Sequence, residues 1–72
     1  MALHEVKAPM AGAIWMLSVA VGEKVFEGGQ LMVMESMKLE VPVTSPVEGI
    51  VKSLAAPGTY VAEDETVAVV EG

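Results

Sequence analysis

The sequence contains no cysteine and no arginine, and Trp15, Phe26 and Tyr60 are its only large aromatic residues. Without cysteine neither a disulfide framework nor a thiolate metal site is available, so stability has to come from packing, and the chain suits a reducing, cytoplasmic setting. Basic residues are scarce. Four lysines stand against ten acidic residues, and the formal net charge of -6 repels a phosphate backbone instead of neutralising it, which argues against nucleic acid as a partner. His4 is the only histidine, too few to complete a transition-metal site, and reads as a surface residue near a loose terminus. Glu63, Asp64 and Glu65 lack the alternating oxygen ligands of a calcium loop and read as a solvated turn, so no metal is assigned. Long apolar runs are also missing. Residues 8–22 are the longest weakly polar stretch, and Pro9, Gly12 and Ser18 interrupt it well short of the roughly 20 apolar residues that a membrane helix needs. Glu5 stands where a secretory leader would be basic, so neither membrane nor export is expected.

What is present is a short chain rich in small and branched apolar residues. At 72 residues with 53% hydrophobic content it is expected to form one domain over residues 1–72, with a core that a disordered tail could not build. The chain repeats itself. Pro9, Gly12, Ile14 and Leu17 fall on Pro46, Gly49, Val51 and Leu54 at a constant offset of 37 residues. After a one-residue slip, Gly22, Val25, Leu31, Val33 and Glu35 fall on Gly58, Val61, Val67, Val69 and Glu71 at an offset of 36. Two half-domains therefore share one plan, each with a Pro and a Gly, an apolar run, a break at Gly22 or Gly58, and a second apolar run.

No segment keeps helical spacing long enough for a helix, whereas Leu31, Val33, Leu39, Val41 and Val43 keep the period-two spacing of a strand face. The residues predict an all-β sandwich or flattened barrel in which each half covers the open apolar face of the other, related by a pseudo-twofold axis. At Gly28-Gly29 a glycine can take the positive φ of a tight turn. The matching position is Asp64, so the second turn is expected to be the more strained. Met32 and Met34 are expected to pack against neighbouring strands, and Trp15 to pack in the core or at its rim, with docking to a partner as its other reading.

Residues 35–42 are the one stretch that this repeat leaves out. With strands over residues 31–36 and 39–43, Met37-Lys38 falls at the bend of a hairpin and Lys38 projects from its tip, on or near the axis between the halves. A solubilising lysine on a turn is the plain reading. Against it, the bend has no Gly, Asn, Asp or Pro, and two large apolar residues flank the lysine, which suits a recognition surface better. Glu35 and Glu40 flank the lysine, yet acid–base work requires a shielded pocket that a hairpin tip does not offer, and Ser36 has no histidine to act as its base.

The segment Glu35-Ser36-Met37-Lys38-Leu39-Glu40 resembles the attachment motif of biotinyl carrier domains, usually Glu-Ala-Met-Lys-Met. The likeness runs from Ala8-Pro9-Met10 and Gly12, through residues 21–25 and Gly28, to Ser45-Pro46, Gly49, Gly58 and residues 67–70. It implies a flattened β-barrel or sandwich hybrid of two four-stranded antiparallel sheets, with the attachment lysine on a β-hairpin tip. It further implies that Lys38 carries covalent biotin, and that Glu35, Ser36, Met37 and Leu39 are read by a biotin protein ligase. The tethered biotin would then shuttle carboxyl between biotin carboxylase and carboxyltransferase sites, the chain itself being a non-catalytic, monomeric carrier. A tethered group keeps a high effective concentration at both sites, which is what a carrier adds. Leu39 replaces the usual Met, Asp64 an expected glycine, and Thr59 a usual acidic residue. No insertion separates Leu17 from Val25, so the chain is similar to the thumb-less carriers of acyl-CoA and pyruvate carboxylases, decarboxylases and transcarboxylases. Two alternatives stand beside this one: a lipoyl carrier, disfavoured because lipoyl domains place an acidic residue before the lysine and a small one after it, and an unmodified β interaction module.

Overall fold

The computed structural model describes residues 2–72; Met1, the first residue of the expected domain, lies outside the described residues. Eight strands follow one another: β1 (Leu3–Lys7), β2 (Gly12–Leu17), β3 (Lys24–Val25), β4 (Gln30–Ser36), β5 (Leu39–Thr44), β6 (Gly49–Leu54), β7 (Tyr60–Val61) and β8 (Thr66–Glu71). They form two antiparallel four-stranded sheets, ordered β1-β8-β6-β3 and β5-β4-β2-β7, with no helix. The strands are rich in Val, whose branched side chain suits a pleated, half-buried surface. The expectation of an all-β domain with two four-stranded sheets holds, but its barrel half does not. Each sheet ends in a free edge strand, and β3 and β7 are two residues each, too short to carry the ladder round and close it.

The repeat governs the register. Ala13 opposite Glu35 and Ile14 opposite Met34 recur as Ile50 opposite Glu71 and Val51 opposite Val70. Every buried side chain maps onto another: Val6 on Val43, Ala8 on Ser45, Ile14 on Val51, Val25 on Val61, Leu31 on Val67, Met32 on Ala68 and Met34 on Val70. The two sheets thus supply matched halves of one core, with the larger Met32 and Met34 in one half against Ala68 and Val70 in the other. Ser45 is its one polar member, and its hydroxyl is satisfied by donating to the Val47 carbonyl at 2.6 Å.

The repeat also reaches further than its sequence signature. Glu40 opposite Glu35 matches Leu3 opposite Glu71, and Val43 opposite Met32 matches Val6 opposite Ala68, so β5 is the second copy of β1. The hairpin turn therefore corresponds to the place where the chain ends meet. Ala2 and Gly72 exchange backbone hydrogen bonds of 2.9 and 3.0 Å there, and His4 lies half-buried in a paired strand instead of near a loose terminus. Because the symmetry carries the hairpin turn onto the chain ends, the turn stands off the axis, not on it. Residues 9–11 join Ala8 to Gly12, a passage of four residue steps that reaches about 14 Å at most, and Gly12 lies against Glu35 and Ser36. That short passage sets the tip of the hairpin above the Lys7–Thr66 end of the other sheet and puts the chain ends at the far end of a molecule 36 Å long.

The expected strand face through Leu31 and Val33 is corrected too. The ladder shifts between Gln30 and Met32, so Met32 and Met34 take the inward positions and Val33 turns to the half-buried outer side. Leu31, beside the shift, stays buried.

Candidate functional site

The hairpin of β4 and β5 closes through Met37 and Lys38, with Ser36 opposite Leu39 as the last pair. Both turn residues have left-handed backbone, at φ values of 51° and 69°. This is the two-residue turn whose twist matches that of paired strands, and it ordinarily selects Asn and Gly because side chains crowd the backbone there. Met37 and Lys38 occupy it against their preference. The cost is held by the ladder below and by Gly12, whose missing side chain lets β2 close on the base of the turn: a Cβ there would stand 2.8 Å from the Glu35 carbonyl oxygen.

The geometry leaves the tip uncovered. Met37 is 93% exposed and Leu39 64%, the Lys38 side chain is exposed, and Ser36 is half-buried over Gly12. Lys7 pairs with Glu5, Lys24 with Glu48 and Lys52 with Glu71, at 3.2 to 3.3 Å. Among the described residues Lys38 is the one lysine without an ion pair. Glu35 and Glu40 face each other one step below the turn, both exposed. The sequence-predicted site residues Glu35, Ser36, Met37, Lys38 and Leu39 thus share a single turn and the two pairs beneath it. The Lys38 amine stands exposed, with no ion pair among the described residues to hold it.

A model of the biotin-requiring enzyme family matches residues 4–71. The chain belongs to that family. It is 44% identical over 57 residues to mitochondrial pyruvate carboxylase of Mus musculus, a match covering 74% of this chain and 5% of that protein. It is 37% identical over 49 residues to the biotin/lipoyl attachment protein of Bacillus subtilis, covering 68% of this chain and 67% of that one. Among solved structures, Kluyveromyces lactis urea carboxylase superposes with a TM-score of 0.92 at 26% identity, over 99% of this chain and 6% of that chain. The biotin-requiring family chain therefore spans about a twentieth of the large carboxylases it matches and two thirds of the attachment protein.

Other expectations placed side chains the structure puts elsewhere. Met32 and Met34 are fully buried, as expected, but Trp15 is 49% exposed and is not a core residue. The ladder between β2 and β4 shifts between Ile14 and Met16, and the bulge turns Trp15 and Met16 outward together. No sequence signal marks that shift, because Ile14, Trp15, Met16 and Leu17 are all apolar and give no alternation to read.

Proposed function

We propose that this chain is a biotin carboxyl carrier domain, spanning all of residues 1–72, and that the Lys38 amine is joined to biotin through an amide by a biotin protein ligase. The observation that carries the proposal is the Lys38 amine itself, unpaired and exposed at the end of a strained two-residue turn. Its family and its likeness to pyruvate carboxylase support biotin as the group carried. Biotin held there by Lys38 would supply a ureido nitrogen as the carrier of carboxyl between a biotin carboxylase site and a carboxyltransferase site. The chain's own residues do the rest. The left-handed turn points the lysine stem away from the core, Met37 and Leu39 offer the ligase apolar contact, and Glu35 and Ser36 complete the surface that it reads. Amide formation would remove the lysine's charge, and among the described residues it has no ion pair to be broken first.

Co-expression with a biotin protein ligase, scored by intact mass, is expected to give one biotinyl adduct that disappears in Lys38→Ala. No adduct, or an adduct retained in that variant, would overturn the assignment. A parallel incubation with a lipoate ligase scores the lipoyl reading, which the name of the Bacillus relative keeps in view.

A further inference from the structure

The pseudo-twofold symmetry supplies an internal control, because each outward-facing residue of one sheet has a counterpart on the other. On the β1-β8-β6-β3 sheet the positions equivalent to Trp15, Met16 and Tyr60 are Lys52, Ser53 and Lys24. At these positions that face is polar and self-neutralising: Lys52 pairs with Glu71 at 3.3 Å, and Lys24 with Glu48 at 3.2 Å. On the β5-β4-β2-β7 sheet the same register carries Trp15, Met16 and Tyr60, which are 49%, 45% and 73% exposed. Val33 and Pro42 continue the apolar row between them and the sheet edge.

The exchange also removes a cation. Glu35 is the counterpart of Glu71, and where Glu71 has Lys52, Glu35 has Trp15. Glu35 instead stands opposite a second carboxylate, Glu40, and neither has an ion pair among the described residues. One copy of the sheet neutralises its own charge; the other exposes Trp15, Met16, Val33 and Pro42 as an apolar row, with Glu35 and Glu40 between it and the Lys38 tip and Tyr60 level with them across Ala13.

We propose that the outer face of the β5-β4-β2-β7 sheet docks a basic protein surface, one that sets an arginine or lysine between Glu35 and Glu40 and apolar side chains over Trp15, Met16 and Tyr60. The inference rests on the carrier reading: the occupant is the biotin carboxylase that works on the group held by Lys38. The face is continuous with the tip, so one partner engages both, and an arginine there supplies the cation that the symmetry shows to be missing. A second copy of this chain does not suit the face. Each copy carries a formal charge of -6, and three of its four lysines are already paired with its own glutamates, so it has little cation to offer.

The test exchanges one sheet's residues for the other's: Trp15→Lys, Met16→Ser and Tyr60→Lys together, with Tyr60→Lys alone as a milder variant on an exposed two-residue strand. Each is biotinylated by the ligase and offered to a biotin carboxylase that carboxylates the wild-type chain, with free biotin as the control substrate. Adduct formation is expected to be unchanged, while KM for the triple variant rises about tenfold with kcat retained and Tyr60→Lys alone rises part of the way. In Glu40→Gln the salt dependence of KM is expected to flatten. A KM within about twofold of wild type in the triple variant overturns the docking face and leaves the carrier reading intact, the criterion being far smaller than a hot-spot loss. Failure of the wild-type chain to accept biotin overturns both. Sedimentation showing a wild-type dimer that the triple variant dissolves overturns the proposal in favour of a second copy.

Discussion

Asp64 repeats the left-handed backbone of Gly28, at φ values of 69° and 82°, and each donates its amide to an equivalent carbonyl, that of Ala8 or of Ser45. One turn geometry is thus served by two residue types, and only one of them is suited to it. Asp64→Gly is expected to stabilise the fold by about 0.5–1 kcal/mol, because relief of the Cβ crowding exceeds the added freedom of the unfolded chain. A urea midpoint that fails to rise would show that the aspartate is unstrained.

The hairpin turn makes the opposite trade. Met37→Gly is expected to gain about 1 kcal/mol by urea denaturation, since it places a permissive residue at the first left-handed position. The same change removes the exposed thioether beside Lys38, so ligase turnover is expected to fall as stability rises. Opposed movements of the two readouts would mark the turn as retained for recognition at the expense of stability.

Like charges directly opposite each other on a ladder repel. Glu40→Gln is expected to raise stability by roughly 0.2–1 kcal/mol at low salt, at the lower end because both side chains are solvated. At 1 M salt, where the screening length is about 3 Å, the difference should vanish. Paired denaturation curves at the two ionic strengths check it.

Two glycines sit at equivalent close approaches of backbone to backbone. A Cβ on Gly49 would run into the Glu71 carbonyl oxygen, and one on Gly12 would stand 2.8 Å from that of Glu35. Gly49→Ala and Gly12→Ala are each expected to lose about 1–3 kcal/mol, with Gly49→Ala the worse, as neither neighbour is a side chain that can swing aside. Thermal unfolding of the two variants ranks them.

Glu5 accepts hydrogen bonds from the Thr66 hydroxyl at 2.7 Å and from Lys7 Nζ at 3.2 Å. The Thr66 bond first, and then Lys7 through its hydrogen bond and charge, hold the carboxyl below its ordinary value. A carboxyl depressed in the folded state adds stability above its unfolded pKa and loses it as pH falls through the folded one. In Thr66→Val the Glu5 pKa, followed by NMR of its side-chain carboxyl carbon, is expected to move up. The stability gap between variant and wild type should narrow on acidification through that window.

The prolines and glycines made the repeat legible, because they occur where the backbone leaves a sheet or crosses another strand closely and few other residues fit. The strand pair β1 and β5 was not legible as a repeat. Of its positions only Val6 and Val43 face fully inward, while Glu5 lies opposite Val69 where Pro42 lies opposite Val33, and the outer surface of an edge strand puts little demand on residue type. The inward phase of Met32 and the outward turn of Trp15 depend on ladder shifts, which arise from pairing between distant segments and leave no periodic mark in an all-apolar run. The lysine tip was legible for the opposite reason: it breaks local turn chemistry, and the break shows in the residues themselves.

The bonded meeting of Ala2 with Gly72 has a mechanical consequence. A polypeptide pulling on both ends would load β1 and β8 as a zipper, one hydrogen-bonded pair at a time, starting from the end of the molecule remote from Lys38. Tension from flanking chain would peel that seam open while the arm at the other end kept its aim.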